Sequence, residues 1–128
     1  MKFMPTTPKI SDAEWAVMEE IWRKHPITAL EVVKRLAPRH RWQDQTIRTM
    51  LRRLIDKRAI NYTAEGKVYH YEPAVSREQC VRMESRSFLE RVFGGAAKPL
   101  LIQMVQEADL SEEDIEELKH LLNKKEKK

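Results

Sequence analysis

Cysteine is almost absent from this chain, and its scarcity excludes several classes of chemistry. Cys80 stands alone among 128 residues, so neither an intramolecular disulfide framework nor a multi-cysteine metal site can form. Glycine is nearly as rare. Gly94 and Gly95 are adjacent and Gly66 stands apart, which leaves no glycine-rich loop to cradle a phosphate. The four histidines, His25, His40, His70 and His120, are scattered, with no pair at the helical spacing of metal ligands. Neither a metal, a cofactor nor enzymatic activity is expected. No apolar run approaches the length of a membrane span, and Met1-Lys2-Phe3-Met4-Pro5 does not read as a signal peptide. A cytoplasmic protein without membrane insertion is the expectation.

What the chain does have is charge. Charged residues make up 34%, aromatics 7% and hydrophobic residues 41%, a balance that suits a helix-rich protein with a core better than a disordered one. The charges are also separated along the chain. Residues 34–58 hold nine Lys or Arg against Asp44 and Asp56, a net +7, whereas residues 107–117 hold seven acids and no base. One region suits a polyanion and the other would repel it. Such a division points to a binding part followed by a part with a different task.

Residues 1–10, with Pro5 and Pro8, read as a short flexible lead-in. Ser11-Asp12-Ala13-Glu14 forms a capping box. The helix it opens carries Trp15, Met18 and Trp22 in line beside Val17 and Ile21, and should end near Pro26. Both tryptophans are expected in the core. Thr28-Ala29-Leu30-Glu31 is a second capping box, opening a helix with Leu30, Val33, Leu36 and Ala37 buried and Pro38 as its end.

A third helix follows, and it is the most informative stretch. From Asp44, read as its N-cap, to Arg58, the residues Ile47, Met50, Leu51, Leu54 and Ile55 make one apolar face. The opposite face carries Gln45, Arg48, Thr49 and Arg52, with Thr46 and Arg53 on its flank. Amides, hydroxyls and guanidiniums are the groups that pair with base edges and phosphates in a major groove. Two short helices before a basic third make a helix-turn-helix core.

The pattern then switches to period two, with Ile60, Tyr62 and Ala64 on one segment and Val68, Tyr69 and Tyr71 on the next. Glu65-Gly66 turns the chain, Gly66 supplying positive φ, and Lys67 lies at the tip, where it would meet phosphate or the adjacent minor groove. A hairpin directly after a helix-turn-helix is a wing. From Ser76-Arg77-Glu78-Gln79, a further capping box, helical patterning resumes with Val81, Phe88, Leu89, Val92 and Phe93, broken at Gly94-Gly95. Cys80 is read as a small residue on that helix. An apolar segment from Pro99 to Val105 includes Leu100 and Leu101, and Ser111 opens a last helix striped by Ile115, Leu118, Leu121 and Leu122.

A mainly α chain with a small β-hairpin wing is therefore expected. A winged helix-turn-helix would occupy residues 1–75, and a C-terminal helical dimerisation domain residues 76–128. About fifty residues bury little alone, so Phe88, Leu89, Val92, Leu100, Leu101, Ile115, Leu118, Leu121 and Leu122 are assigned to contact between two copies. A twofold dimer presents two reading heads to a palindromic site on double-stranded DNA. A monomer folding this segment back on its own winged helix is the other arrangement.

Three segments also resemble the BlaI/MecI family of penicillinase repressors. They are Glu14-Trp15-Ala16-Val17-Met18-Glu19-Glu20-Ile21-Trp22, Asp44-Gln45-Thr46-Ile47-Arg48-Thr49 with Arg53-Leu54, and Phe88-Leu89-Glu90-Arg91-Val92-Phe93-Gly94-Gly95. The resemblance implies a homodimeric transcriptional repressor on a palindromic operator, governing β-lactam resistance or a related stress response. It also implies base contacts at Gln45, Thr46, Arg48 and Thr49. A membrane-bound antibiotic sensor with a zinc-protease domain would relieve repression by triggering cleavage within the dimerisation domain. Two departures stand out. The family's cleaved Asn-Phe bond corresponds here to Gln103-Met104, and Lys57-Arg58-Ala59 lacks the glycine common after the recognition helix. The cysteine-rich copper motif of a related branch has no counterpart in residues 119–128. The competing reading is a winged helix whose basic face meets an acidic protein partner.

Overall fold

The computed structural model describes residues 7–127. Of the expected lead-in, the first six residues lie outside the described ones. The elements run α1 (Asp12–Arg23), β1 (Ile27–Thr28), α2 (Ala29–His40), α3 (Asp44–Asp56), β2 (Ile60–Glu65), β3 (Val68–Pro73), α4 (Arg77–Phe93), α5 (Ala97–Glu107) and α6 (Glu112–Glu126). The chain divides into two compact units, one through Glu84 and one from Ser85. The first has the winged-helix architecture, mainly α with a small antiparallel sheet.

Ser11 and Glu14 close the capping box of α1 in both directions, at 3.2 and 3.0 Å. Val17, Met18 and Ile21 are fully buried, while Trp15 and Trp22 pack half-buried against that core. The two indoles meet edge to face at 5.3 Å. Trp22 Nε1 donates to the Val75 carbonyl at 2.9 Å, so this ring also fastens the chain after the wing to α1.

Helix α2 differs from expectation in two ways. It runs through Pro38 to His40. A proline this near the C-terminus forfeits one ladder hydrogen bond while the turns before it stay intact. The chain then leaves the helix at Arg41 in the left-handed region, φ 58°. The buried face is also rotated. Val32 and Leu36 are fully buried, whereas Leu30 is 53% exposed.

Helix α3 buries Ile47, Met50, Leu51 and Leu54 against α1 and α2, with Ile55 half-buried. Each such side chain contributes about 1.5–3 kcal/mol by leaving water. The N-cap is Gln43, which makes no side-chain capping bond, and Asp44 is the first helical residue. The expected capping role of Asp44 is thus not realised. At the other end the Arg58 amide donates to Ile55 and the Ala59 amide to Leu54, both at 2.9 Å. That pair is a Schellman motif, with Arg58 in the left-handed position at φ 64°.

The sheet has three strands in the order β1-β3-β2. The hairpin was legible in the sequence and β1 was not, since two residues carry no periodicity. Ile27 pairs with Tyr71 and Thr28 with His70, while across the hairpin Glu65 pairs with Val68. Gly66 turns the chain at φ 63°. Ile27, Ile60 and Tyr71 are buried at the sheet's inner end. Beyond them the hairpin projects from the core, and Tyr62 stacks on Tyr69 at 4.2 Å on an exposed face.

In the second unit the last part of α4 ends at Gly94 and Gly95, both at positive φ. Helix α5 starts without a side-chain cap, and Pro99 sits in its first turn, where a missing N–H costs nothing. Helix α6 starts where expected, after Ser111, and the structure adds a capping box between Ser111 and Asp114, at 3.0 and 3.1 Å. Neither α5 nor α6 has a buried residue.

Candidate nucleic-acid interface

Burial of its apolar face fixes how α3 is rolled, so the residues opposite must point outward. Gln45, Thr46, Arg48, Arg52 and Arg53 are exposed and Thr49 is half-buried. Gln45 Nε2 donates to Thr49 Oγ1 at 3.5 Å, the outer limit of such a bond. Arg48 Nε donates to the Asp44 carboxylate one turn earlier.

The wing and α2 complete the surface. A groove of about 790 Å³ is lined by Thr28, Ala29, Leu30, Arg48, Arg52, Gly66, Lys67, Val68, Tyr69 and Tyr71. It brings together Arg48 and Arg52 from α3 with Lys67 from the wing tip. Gln45, Thr46, Thr49 and Arg53 lie on α3 outside this groove. Burial raises the Tyr71 hydroxyl above the ordinary phenol value, with Arg48 acting in the opposite sense, so it stays a neutral hydrogen-bonding group.

Thr28, Ala29 and Leu30 were not singled out in the sequence as site residues, although a signal was there. Their capping box marks a helix start, and a helix start presents unpaired N–H groups that favour anions. Glu31 completes that box without lining the groove. The Lys24 ammonium and the Thr28 backbone lower its carboxyl to about 2, so it remains ionised while satisfying the helix end. Tyr69 and Tyr71 follow from the alternation of β3.

Part of the basic charge is committed to structure. Arg23 bonds the buried Glu20, and Arg35 and Arg39 each approach it to 3.7 Å. Arg77 forks onto Glu19 at 3.0 and 3.1 Å. Lys57 is tied to the buried Glu14 and to the Lys9 carbonyl. The +7 of residues 34–58 therefore overstates what a polyanion meets, whereas among the described residues Arg52 and Arg53 on α3 and Lys67 at the wing tip have no ion pair.

Cys80 is fully buried, and burial, with Glu84 nearby, pushes its thiol up. A buried, protonated thiol is a poor redox sensor. Among the described residues no group of three His, Cys, Asp or Glu could hold a metal ion, and no helix is long and apolar enough to cross a membrane.

The sequence model of the family described as Penicillinase repressor matches residues 10–124. The chain belongs to the penicillinase repressor family. The resemblance read from α1, α3 and the end of α4 thus holds over nearly the whole chain. The "Penicillinase repressor" of Bacillus licheniformis is 39% identical over 119 residues, covering 93% of each chain. The "Methicillin resistance regulatory protein MecI" of Staphylococcus aureus (strain N315) is 34% identical, covering 93% of this chain and 97% of the relative. Among solved structures, that of the DNA-binding domain of the repressor BlaI has a TM-score of 0.54 at 43% identity, covering 59% of this chain and 93% of that one. The monomeric form of Bacillus licheniformis BlaI in complex with the blaP half-operator has a TM-score of 0.52 at 43% identity, with the same coverage. Both match the winged-helix architecture built up above.

Proposed function

We propose that this penicillinase-repressor family member is a homodimeric, sequence-specific DNA-binding repressor, acting in the cytoplasm on a palindromic operator. The observation that carries the reading is the groove gathering Arg48, Arg52 and Lys67 beside the start of α2. Helix α3 would enter the major groove, with Gln45, Thr46, Arg48 and Thr49 reading base edges. Arg52, Arg53, Lys67 and the N–H groups at the start of α2 would hold phosphates and fix register. The half-operator complex of the Bacillus licheniformis BlaI supports the same use of this fold.

Residues 1–75 would be the reading head and residues 76–128 the dimerisation domain. Support comes from apolar side chains left open in the second unit. Val92, Leu101, Leu121 and Leu122 are exposed, as are Phe88, Ile115 and Leu118. Packing a second copy there, with Leu89 and Leu100 beside them, would remove this surface from water.

Relief of repression would follow cleavage at Gln103-Met104 by a membrane-bound sensor protease or its effector. That bond lies mid-way along α5, and a protease needs extended backbone. In the single chain α5 has no buried residue and no side-chain cap, so it opens locally at little cost wherever the second copy does not cover it. The names of the relatives point to genes of β-lactam resistance as targets.

A second reading, an acidic protein partner, draws support from Leu30, Val68 and Tyr69, which add exposed apolar area to the groove walls. Comparing transcripts in a strain lacking this chain with its parent separates the two. The repressor reading expects a small set of transcripts to rise, with restoration by the wild-type chain and not by Arg48→Ala. An unchanged transcript profile would remove it.

A further inference from the structure

We propose that Asp44 is a positioning residue that sets the reading pose of Arg48 and thereby the sequence preference of α3. The proposal rests on the DNA-binding reading above. Asp44 is one of two acids in a stretch of nine bases, and it stands at the reading end of the helix. An exposed carboxylate there repels the polyanion that the rest of the face attracts, so its placement calls for a reason.

Helix capping is not that reason. Gln43 occupies the N-cap, no side chain caps the helix, and Asp44 follows as the first helical residue. Its carboxylate is instead bonded to Arg48 Nε, one turn along the same face. Both side chains are open to solvent, at 55% for Asp44 and 44% for Arg48. Arg48 borders the groove shared with Arg52, Lys67 and Tyr71. Among the described residues it makes no other hydrogen bond or ion pair.

The geometry divides the guanidinium into two working edges. Nε is held by Asp44, and the two terminal nitrogens are left as a fork. A fork presented in a fixed direction matches the paired acceptors of guanine O6 and N7. A free arginine must give up its rotamer freedom on binding, whereas one already clipped to the helix has given up part of it beforehand. The same carboxylate weakens arginine's attraction to phosphate when no base pair receives the fork. Asp44 therefore sharpens the preference for the correct base pair and lowers affinity for all other DNA.

Selection from a pool of random-sequence duplexes, using the full chain, tests this. Wild type, Asp44→Asn, Arg48→Ala and the double variant are compared for the motif each enriches and for affinity to the unselected pool. Wild type is expected to enrich a two-half-site motif. Asp44→Asn should keep the half-site spacing, lose preference at the base pair that Arg48→Ala also loses, and bind the unselected pool up to about fivefold tighter, the most an exposed ion pair contributes. The double variant should enrich the same motif as Arg48→Ala. A helix-stabilising role alone would move thermal unfolding and leave the motif unchanged. If Asp44→Asn enriches the wild-type motif, or loses preference at a different base pair from Arg48→Ala, the proposal is overturned. If wild type enriches nothing, the DNA-binding reading fails and takes the proposal with it. Asp44→Ser serves as the second variant should Asp44→Asn fold poorly.

Discussion

Lys57, at the C-cap of α3, reaches across to Glu14 in the first turn of α1, and Glu14 is only 2% exposed. The contact ties the end of α3 to the start of α1. Burial raises the Glu14 carboxyl, but the bond to Lys57 and those to Ser11 together bring it below its ordinary value of 4.5. A carboxyl depressed in the folded state stabilises fully above the unfolded value, and that stability is lost as pH falls through the folded value.

Glu14→Gln should therefore cost about 1–3 kcal/mol at neutral pH, read by urea unfolding. Its loss of stability below pH about 4.5 should be shallower than that of the wild type. Lys57→Met leaves a buried carboxylate unpaired, so its deficit relative to wild type should shrink as Glu14 is protonated in acid. A deficit independent of pH would remove this contact from the account of stability.

Arg58 occupies the left-handed position of the Schellman motif without being a glycine. A side chain there costs about 1–2 kcal/mol, and glycine's extra freedom in the unfolded chain offsets part of that. Arg58→Gly should raise stability by about 0.5–1 kcal/mol with DNA affinity little changed, since Arg58 lies off the reading face. Thermal unfolding alongside duplex titration checks both parts.

Elements whose signal is local were legible, and those decided by distant partners were not. The capping boxes at Ser11, Thr28 and Ser76 state helix starts in four residues, and each is bonded as expected. The apolar face of α3 follows from its spacing alone, and the outward face with it. Strand β1 exists because β3 offers a partner, a long-range fact invisible at Ile27-Thr28. Leu30 and Val32 differ by half a helical turn in facing, and only the packing of the neighbours decides which is buried. Asp44 looked like a cap because aspartate commonly is one. Its bond to Arg48 is an i, i+4 contact that the spacing permits, but only the side-chain directions show that it displaces capping. The groove needed α2, α3 and the wing assembled before Lys67 could be seen beside Arg52.

Substitutions on the outer face of α3 should separate reading from holding. Arg48→Ala and Thr46→Ala should weaken binding to a preferred duplex far more than to a random one, by about 1–3 kcal/mol at a bidentate contact. Arg52→Ala should weaken both alike and flatten the slope of log affinity against log salt by about 0.9 per lost phosphate contact. Titrations at several salt concentrations distinguish the two patterns, and equal losses for every variant would contradict the division of labour.

Leu118 and Leu121 lie on α6, 39% and 51% exposed. Leu118→Asp combined with Leu121→Asp should give monomers by light scattering, each still folded through Glu84, with operator affinity reduced by the loss of the second head. Retention of the dimer by this variant would place the interface elsewhere.

Genome-wide capture of the DNA bound by the tagged chain bears on sequence-specific repression more closely than any variant. A few sharp peaks in promoters, sharing one palindrome whose half-sites match a twofold pair of α3 helices, is the outcome expected here. Diffuse or absent enrichment from well-expressed protein would refute sequence-specific repression and leave the basic face to an acidic protein partner.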